Sequence, residues 1–182
     1  MELEAGPCRV RSLRDADAPA LAELMNERAI WLRLRDGVPH PYLLEHAKAY
    51  LAMSAARPRE ESFAIEAEGK LVGGIGCHPR EDVHRLEAEV GYWVAIPCWG
   101  RGYATAALTV LADRVLAEWP ICRLTATVYS GNPASCRVLE KCGFEHEGIQ
   151  RAAIIKDGRV LDAIAYARVD EANAAKLGER VR

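Results

Sequence analysis

Residues 94–108, VAIPCWGRGYATAAL, join a strand pattern to a helix pattern across a loop that holds two glycines. Before the loop, Leu86–Ile96 alternates in part and stops at Pro97; after it, Ala104, Leu108, Leu111, Ala112 and Val115 recur at helical spacing as far as Pro120. A strand that feeds a long amphipathic helix is the beginning of a crossover, which restricts the chain to folds with helices packed on a sheet. Gly100 and Gly102 permit close backbone approach, and the first N–H groups of the helix behind them have no intrahelical acceptor. With the helix dipole this makes a place for an anion such as a pyrophosphate, to which Arg101 adds charge. By themselves, two glycines before a helix are also simply a turn. The P-loop signature is absent, and G-R-G-Y-A-T does not have the glycine spacing of the dinucleotide fingerprint.

The remaining pattern fills in the architecture. Cys8–Arg14 alternates as a strand, Asp15 or Asp17 offers a cap, and Leu21, Leu24 and Met25 form a helical stripe. Ile30–Tyr42, with Gly37, Pro39 and Pro41, reads as a loop, and Leu43, Ala47, Tyr50 and Leu51 mark a second helix ending near Arg57-Pro58. Ser62–Ala67 and Lys70–His78 form a hairpin across Glu68-Gly69. Ile121–Tyr129 alternates as a strand; Asn132 caps a helix with Pro133 at its first position, and Gly143 closes it. Phe144–Ile154 and Arg159–Val169 flank an Asp157-Gly158 turn, and Glu171–Arg182 is a polar tail, either an exposed helix or a frayed end. Hairpins mixed with crossover helices predict an α/β domain over residues 1–170, with a mixed, strongly twisted sheet of about seven strands flanked by about four helices, and a tail over 171–182.

Composition narrows the function. The chain has 182 residues and a net charge of −2, so it is large enough for its own core and carries no basic excess to draw it to nucleic acid. No apolar run suits a membrane, and the opening MELEAGPCRVRSLRD lacks the apolar region of a signal peptide. Cys8, Cys77, Cys98, Cys122, Cys136 and Cys142 show no metal-ligand spacing with one another or with histidine. Free thiols, no metal and a cytoplasmic location are expected.

VGYWVAIPCWGRGYATAAL, followed about thirty residues later by GNPASCRVLEKCGF, resembles the GNAT acetyltransferase superfamily, most closely its Rim-type branch of protein N-terminal acetyltransferases. The family's pyrophosphate loop opens with Gln or Arg, then two residues, Gly, one residue, and Gly or Ala. Trp99-Gly100-Arg101-Gly102-Tyr103-Ala104 fills that window, with Trp99 in the leading place. The resemblance implies that the amides from Trp99 to Thr105 hold the pyrophosphate of acetyl-CoA. It also implies that Trp93, Val94 and Ala95 pair through their main chain with the pantetheine arm. In that family two central strands part at this point, and the resemblance implies a bulge in the first that leaves an N–H for the thioester carbonyl. The resemblance further implies that Asn132, besides capping its helix, faces the pantetheine arm.

The same resemblance assigns the proton steps. Leu139 stands where many GNAT enzymes carry a tyrosine acid, which leaves Ser135, or a water, to protonate the thiolate. Glu87, Glu89, Gly91 and Trp93 share one strand face by alternation, and Glu89 matches the family's acidic position, making it the candidate base. An amine attacks only when neutral, a condition met far more often by an α-amine, with a pKa of about 8, than by lysine at about 10.4. No cysteine has a histidine neighbour in a nucleophile arrangement, so direct transfer in a ternary complex is expected. The acceptor is a protein N-terminus or a small-molecule amine, and the family's habit allows a homodimer. The connection between the first two helices, with Trp31, Arg33, Arg35, His40 and Tyr42, would wall the acceptor cleft and is locally basic. The alternative reading is a catalytically weak acyl-CoA-binding regulatory module.

Overall fold

The sheet begins earlier than the sequence pattern suggests. Glu2–Ala5 (β1) turns at Gly6, in the left-handed region at φ 61°, and pairs antiparallel with Cys8–Ser12 (β2). Three helices follow: Ala18–Leu24 (α1), the single turn Arg28–Trp31 (α2) and Leu44–Ala55 (α3). Ser62–Ala67 (β3) and Lys70–Pro79 (β4) form the expected hairpin, with Glu68 at φ 52° and Gly69 at φ 72°, the pair of positive angles a tight two-residue turn requires. Glu87–Val94 (β5) leads through a short turn of 3-10 helix at Ile96–Cys98 into Tyr103–Glu118 (α4). Arg123–Tyr129 (β6), Pro133–Lys141 (α5), Glu145–Lys156 (β7), Arg159–Val169 (β8) and Glu171–Arg180 (α6) complete the chain. This is a computed structural model; it describes residues 1–180, and the last two residues of the expected tail lie outside the described residues.

Among the described residues, eight strands form a mixed open sheet in the order β1-β2-β3-β4-β5-β6-β8-β7, one strand more than expected, with six helices instead of about four. The chain divides into two compact units.

The first unit holds Met1–Gly76 and Tyr92–Ala107. Its strands β1 to β4 pair antiparallel in sequence order. Leu21 of α1, Met25 directly after it, Ala47 and Leu51 of α3, and Tyr42 form a buried cluster, against which Trp93 packs. A charged network underlies it. Arg11 grips Asp17 through two hydrogen bonds of 2.8 Å and also pairs with Glu66, all three side chains being buried. Asp17 in turn accepts the Arg14 amide at 2.8 Å, which fixes the entry into α1.

The second unit holds Cys77–Gly91 and the chain from Leu108 onward. Leu108, Leu111 and Val115 of α4, Leu124 of β6 and Leu139 of α5 are fully buried. Strands β6 and β8 pair antiparallel along their length, as do β8 and β7. β7 is the outer strand, and two register shifts interrupt its pairing: one between His146 and Gly148, the other between Gln150 and Ile154. Ala152, inside the second shift, sits at φ 52° and donates its amide to Asp162 at 2.8 Å. No helix among the described residues is long and apolar enough to cross a membrane.

Candidate active site

The glycine loop lies in the first unit. Gly100 and Gly102 have φ of 76° and 81°, the left-handed region where a side chain is strained, and no atom stands within 4 Å of where their Cβ atoms would be. The backbone is therefore open to a ligand on that side. Helix α4 starts at once, its first intrahelical bond running from the Ala106 amide to the Gly102 carbonyl at 3.0 Å. The amides of Tyr103 and Ala104 precede that bond and point out of the helix end. Arg101 is exposed, and the neighbouring Tyr103 side chain pushes its pKa up from the ordinary arginine value. A diphosphate fits such a donor set: main-chain N–H groups, a helix N-terminus and a guanidinium.

The strand end beside the loop is tied down more firmly than the sequence indicated. Ala95 is buried, donates its amide to the Val72 carbonyl at 2.8 Å and accepts the Cys98 amide at 2.8 Å. Both of its backbone groups are thus engaged within the fold. The Val94 carbonyl accepts the indole N–H of Trp99 at 2.7 Å. Trp93 crosses β4 at Gly73 and Gly74: a Cβ on Gly73 would run into the Trp93 carbonyl, and one on Gly74 would stand 2.6 Å from the indole nitrogen. The glycine doublet inside a strand pattern was the available signal for this close approach. The Trp99 contact had none, because an indole donor finds a carbonyl by tertiary geometry.

The aromatic segment after α2 is also built. Trp31 donates to the Val38 carbonyl at 2.9 Å and stacks on His40 with ring centres 5.2 Å apart. Arg28 lies over the Trp31 ring, Arg33 over that of Trp99, and Tyr42 is buried, which raises its pKa to about 12. Arg35 is exposed.

The proton-transfer candidates belong to the second unit. Parallel pairing of β5 with β6 joins Glu87–Glu89 to Arg123–Thr125 and, among the described residues, ends there, although both strands continue. Glu89 is the last paired residue. Its carboxylate is largely covered and meets Arg80 at 3.3 Å. Glu87 is held by Arg80 at 3.6 Å and by Arg123 at 3.3 Å, so these two acids form an ion-pair network and not a bare acidic cluster. Asn132 caps α5 through its side-chain oxygen, which accepts the Ser135 amide at 3.3 Å. Ser135 is half-buried on the stripe that continues to the buried Leu139 and Cys142. All six cysteines are free; Cys98, Cys122 and Cys136 are only half-buried, and burial pushes the Cys8 and Cys142 thiols up, away from the thiolate form.

A family model described as an acetyltransferase (GNAT) domain matches residues 8–145. The chain belongs to the GNAT acetyltransferases. As a GNAT protein it has relatives of known name and shape. YdaF of Bacillus subtilis, named as a proposed ribosomal N-acetyltransferase, is 30% identical over 165 residues, covering 86% of this chain and 88% of YdaF. Phosphinothricin N-acetyltransferase of Alcaligenes faecalis is 29% identical, covering 98% and 91%. RimJ of Mycobacterium smegmatis, solved in complex with CoA-disulfide, superposes with a TM-score of 0.81 at 26% identity, covering 100% of this chain and 94% of RimJ. This GNAT chain is therefore an N-acetyltransferase whose structural neighbours include a Rim-type enzyme.

Proposed function

We propose that the protein transfers an acetyl group from acetyl-CoA directly to a primary amine, either a protein N-terminus or a small molecule. The carrying observation is the pair of left-handed glycines, open on one side, that delivers the chain into the first turn of α4 in a GNAT sequence. The amides from Trp99 to Thr105, with Gly100, Gly102, Tyr103 and Ala104 between them, cradle the pyrophosphate, and Arg101 adds charge. Trp93, Val94 and Ala95 offer main-chain groups to the pantetheine arm, Ala95 through its carbonyl, since the Val72 carbonyl takes its amide. Asn132 presents its carboxamide to the same arm while its oxygen caps α5.

The bound thioester supplies an activated acetyl carbon. Glu89, whose carboxylate lies 3.3 Å from the Arg80 guanidinium, takes the proton that leaves the attacking amine, directly or through a water. The new C–N bond forms as the C–S bond breaks, and the Ser135 hydroxyl protonates the departing thiolate, recovering its proton from solvent. No cysteine takes part.

The test is transfer from isotopically labelled acetyl-CoA into a pool of N-terminal peptides, lysine peptides, amino acids, polyamines and aminoglycosides, read by mass spectrometry against a control without enzyme. Label in one amine class establishes both donor and acceptor. Binding of acetyl-CoA with no label in any amine would instead indicate an acyl-CoA-binding regulatory module.

A further inference from the structure

Arg33 lies outside the glycine loop in sequence, yet its guanidinium carbon sits 5.4 Å from the centre of the Trp99 ring. That ring does not swing freely, because its N–H is bonded to Val94 at 2.7 Å, and Trp99 directly precedes the left-handed Gly100. A guanidinium over an aromatic face keeps its N–H donors for other partners. One Arg33 nitrogen is already used by the Ala29 carbonyl, which tethers the side chain to α2, the helix that ends two residues before it. The cation is therefore held from two sides, over the side chain of the residue that directly precedes the first glycine of the anion loop.

From this placement we infer that Arg33 is a cofactor-binding residue: it donates to the pyrophosphate of the acyl-CoA, with Trp99 as the platform that positions it. The inference rests on the proposed function for its ligand. It gives Trp99 a purpose that the loop pattern does not contain, since the leading place of the loop acts here through what it carries. It also links the cofactor to the segment bearing Trp31 and His40, because Arg33 belongs to that segment.

Isothermal titration with coenzyme A and with 3′-dephospho-coenzyme A tests this, using the unsubstituted protein, Arg33→Gln, Arg33→Lys and Trp99→Ala. A lost charge-assisted hydrogen bond predicts about tenfold weaker binding of both ligands by Arg33→Gln, at an unchanged melting temperature of the free protein. Arg33→Lys should fall between, and Arg33→Gln added to Trp99→Ala should cost little more than Trp99→Ala alone. Wild-type affinity in Arg33→Gln would overturn the inference while leaving the proposed function intact. A loss confined to coenzyme A would overturn the pyrophosphate assignment in favour of the 3′-phosphate. Failure of the unsubstituted protein to bind coenzyme A would overturn the proposed function itself, and the inference with it.

Discussion

The indole N–H of Trp99 donates to the carbonyl oxygen of Val94 across 2.7 Å, so the residue that starts the glycine loop is fastened to the residue that ends β5. Trp99→Phe keeps the ring and removes the donor. Because Trp99 is 47% exposed, water replaces much of the lost bond, and a destabilisation of about 0.5–1.5 kcal/mol is expected in urea unfolding.

Gly73 and Gly74 set a steeper condition. Gly74→Ala places a methyl against the Trp93 indole, which must shift within the buried cluster it packs on; Gly73→Ala meets a backbone carbonyl that no rotamer change can move. Overpacking of this kind costs about 1–3 kcal/mol, with Gly73→Ala the more damaging. Equal midpoints for the two variants in thermal unfolding would contradict the stated geometry.

The buried Arg11–Asp17–Glu66 network makes the fold acid-sensitive. Burial pushes the Asp17 carboxyl up, but hydrogen bonds from the Arg11 side chain and the Arg14 amide outweigh it and hold it below the usual carboxylate range. Glu66 is held low chiefly by its hydrogen bond from Arg11. Depressed carboxylates contribute stability in full above their unfolded pKa, about 3.9 for Asp and 4.3 for Glu, and lose it as pH falls through the folded values. Unfolding free energy should therefore hold near neutrality and drop below about pH 4. Arg11→Met, which leaves two carboxylates buried without this partner, should cost about 3–5 kcal/mol at pH 7 and flatten the acid limb.

Glu89→Gln removes the proposed base and leaves coenzyme A binding intact. Turnover on the acceptor found should fall by about two to four orders of magnitude, with the acetyl-CoA dissociation constant unchanged. Ser135→Ala should lower kcat without altering the α5 cap, since the amide that Asn132 accepts belongs to the backbone. Unchanged turnover in both variants would refute the proton assignments but not the enzyme.

Where local chemistry decides the structure, the sequence was readable. Glu68-Gly69 and Asp157-Gly158 adopt paired positive φ angles, Asn132 and Pro133 start α5, and Gly143 ends it at φ 78°. Strand β1 escaped notice because its four residues, ELEA, have too little alternation and depend on β2 for their pairing. Helix α2 is a single turn inside a segment rich in loop residues. The point where β5 and β6 cease to pair was expected only through the family resemblance, since neither strand changes composition there. Ala95 shows the same limit: nothing in its side chain tells that Val72 and Cys98 take its amide and carbonyl.

The two shifts in β7 bear on how this protein behaves at high concentration. A twelve-residue outer strand would normally display a long row of amides and carbonyls able to recruit a strand from another molecule. Here the row is broken at Gly148 and again at Ala152, whose N–H is turned back onto Asp162. Only short pieces of straight edge remain between the breaks, too few to seed a growing stack of sheets. The backbone of β7 itself thus limits what this edge of the sheet offers to another strand.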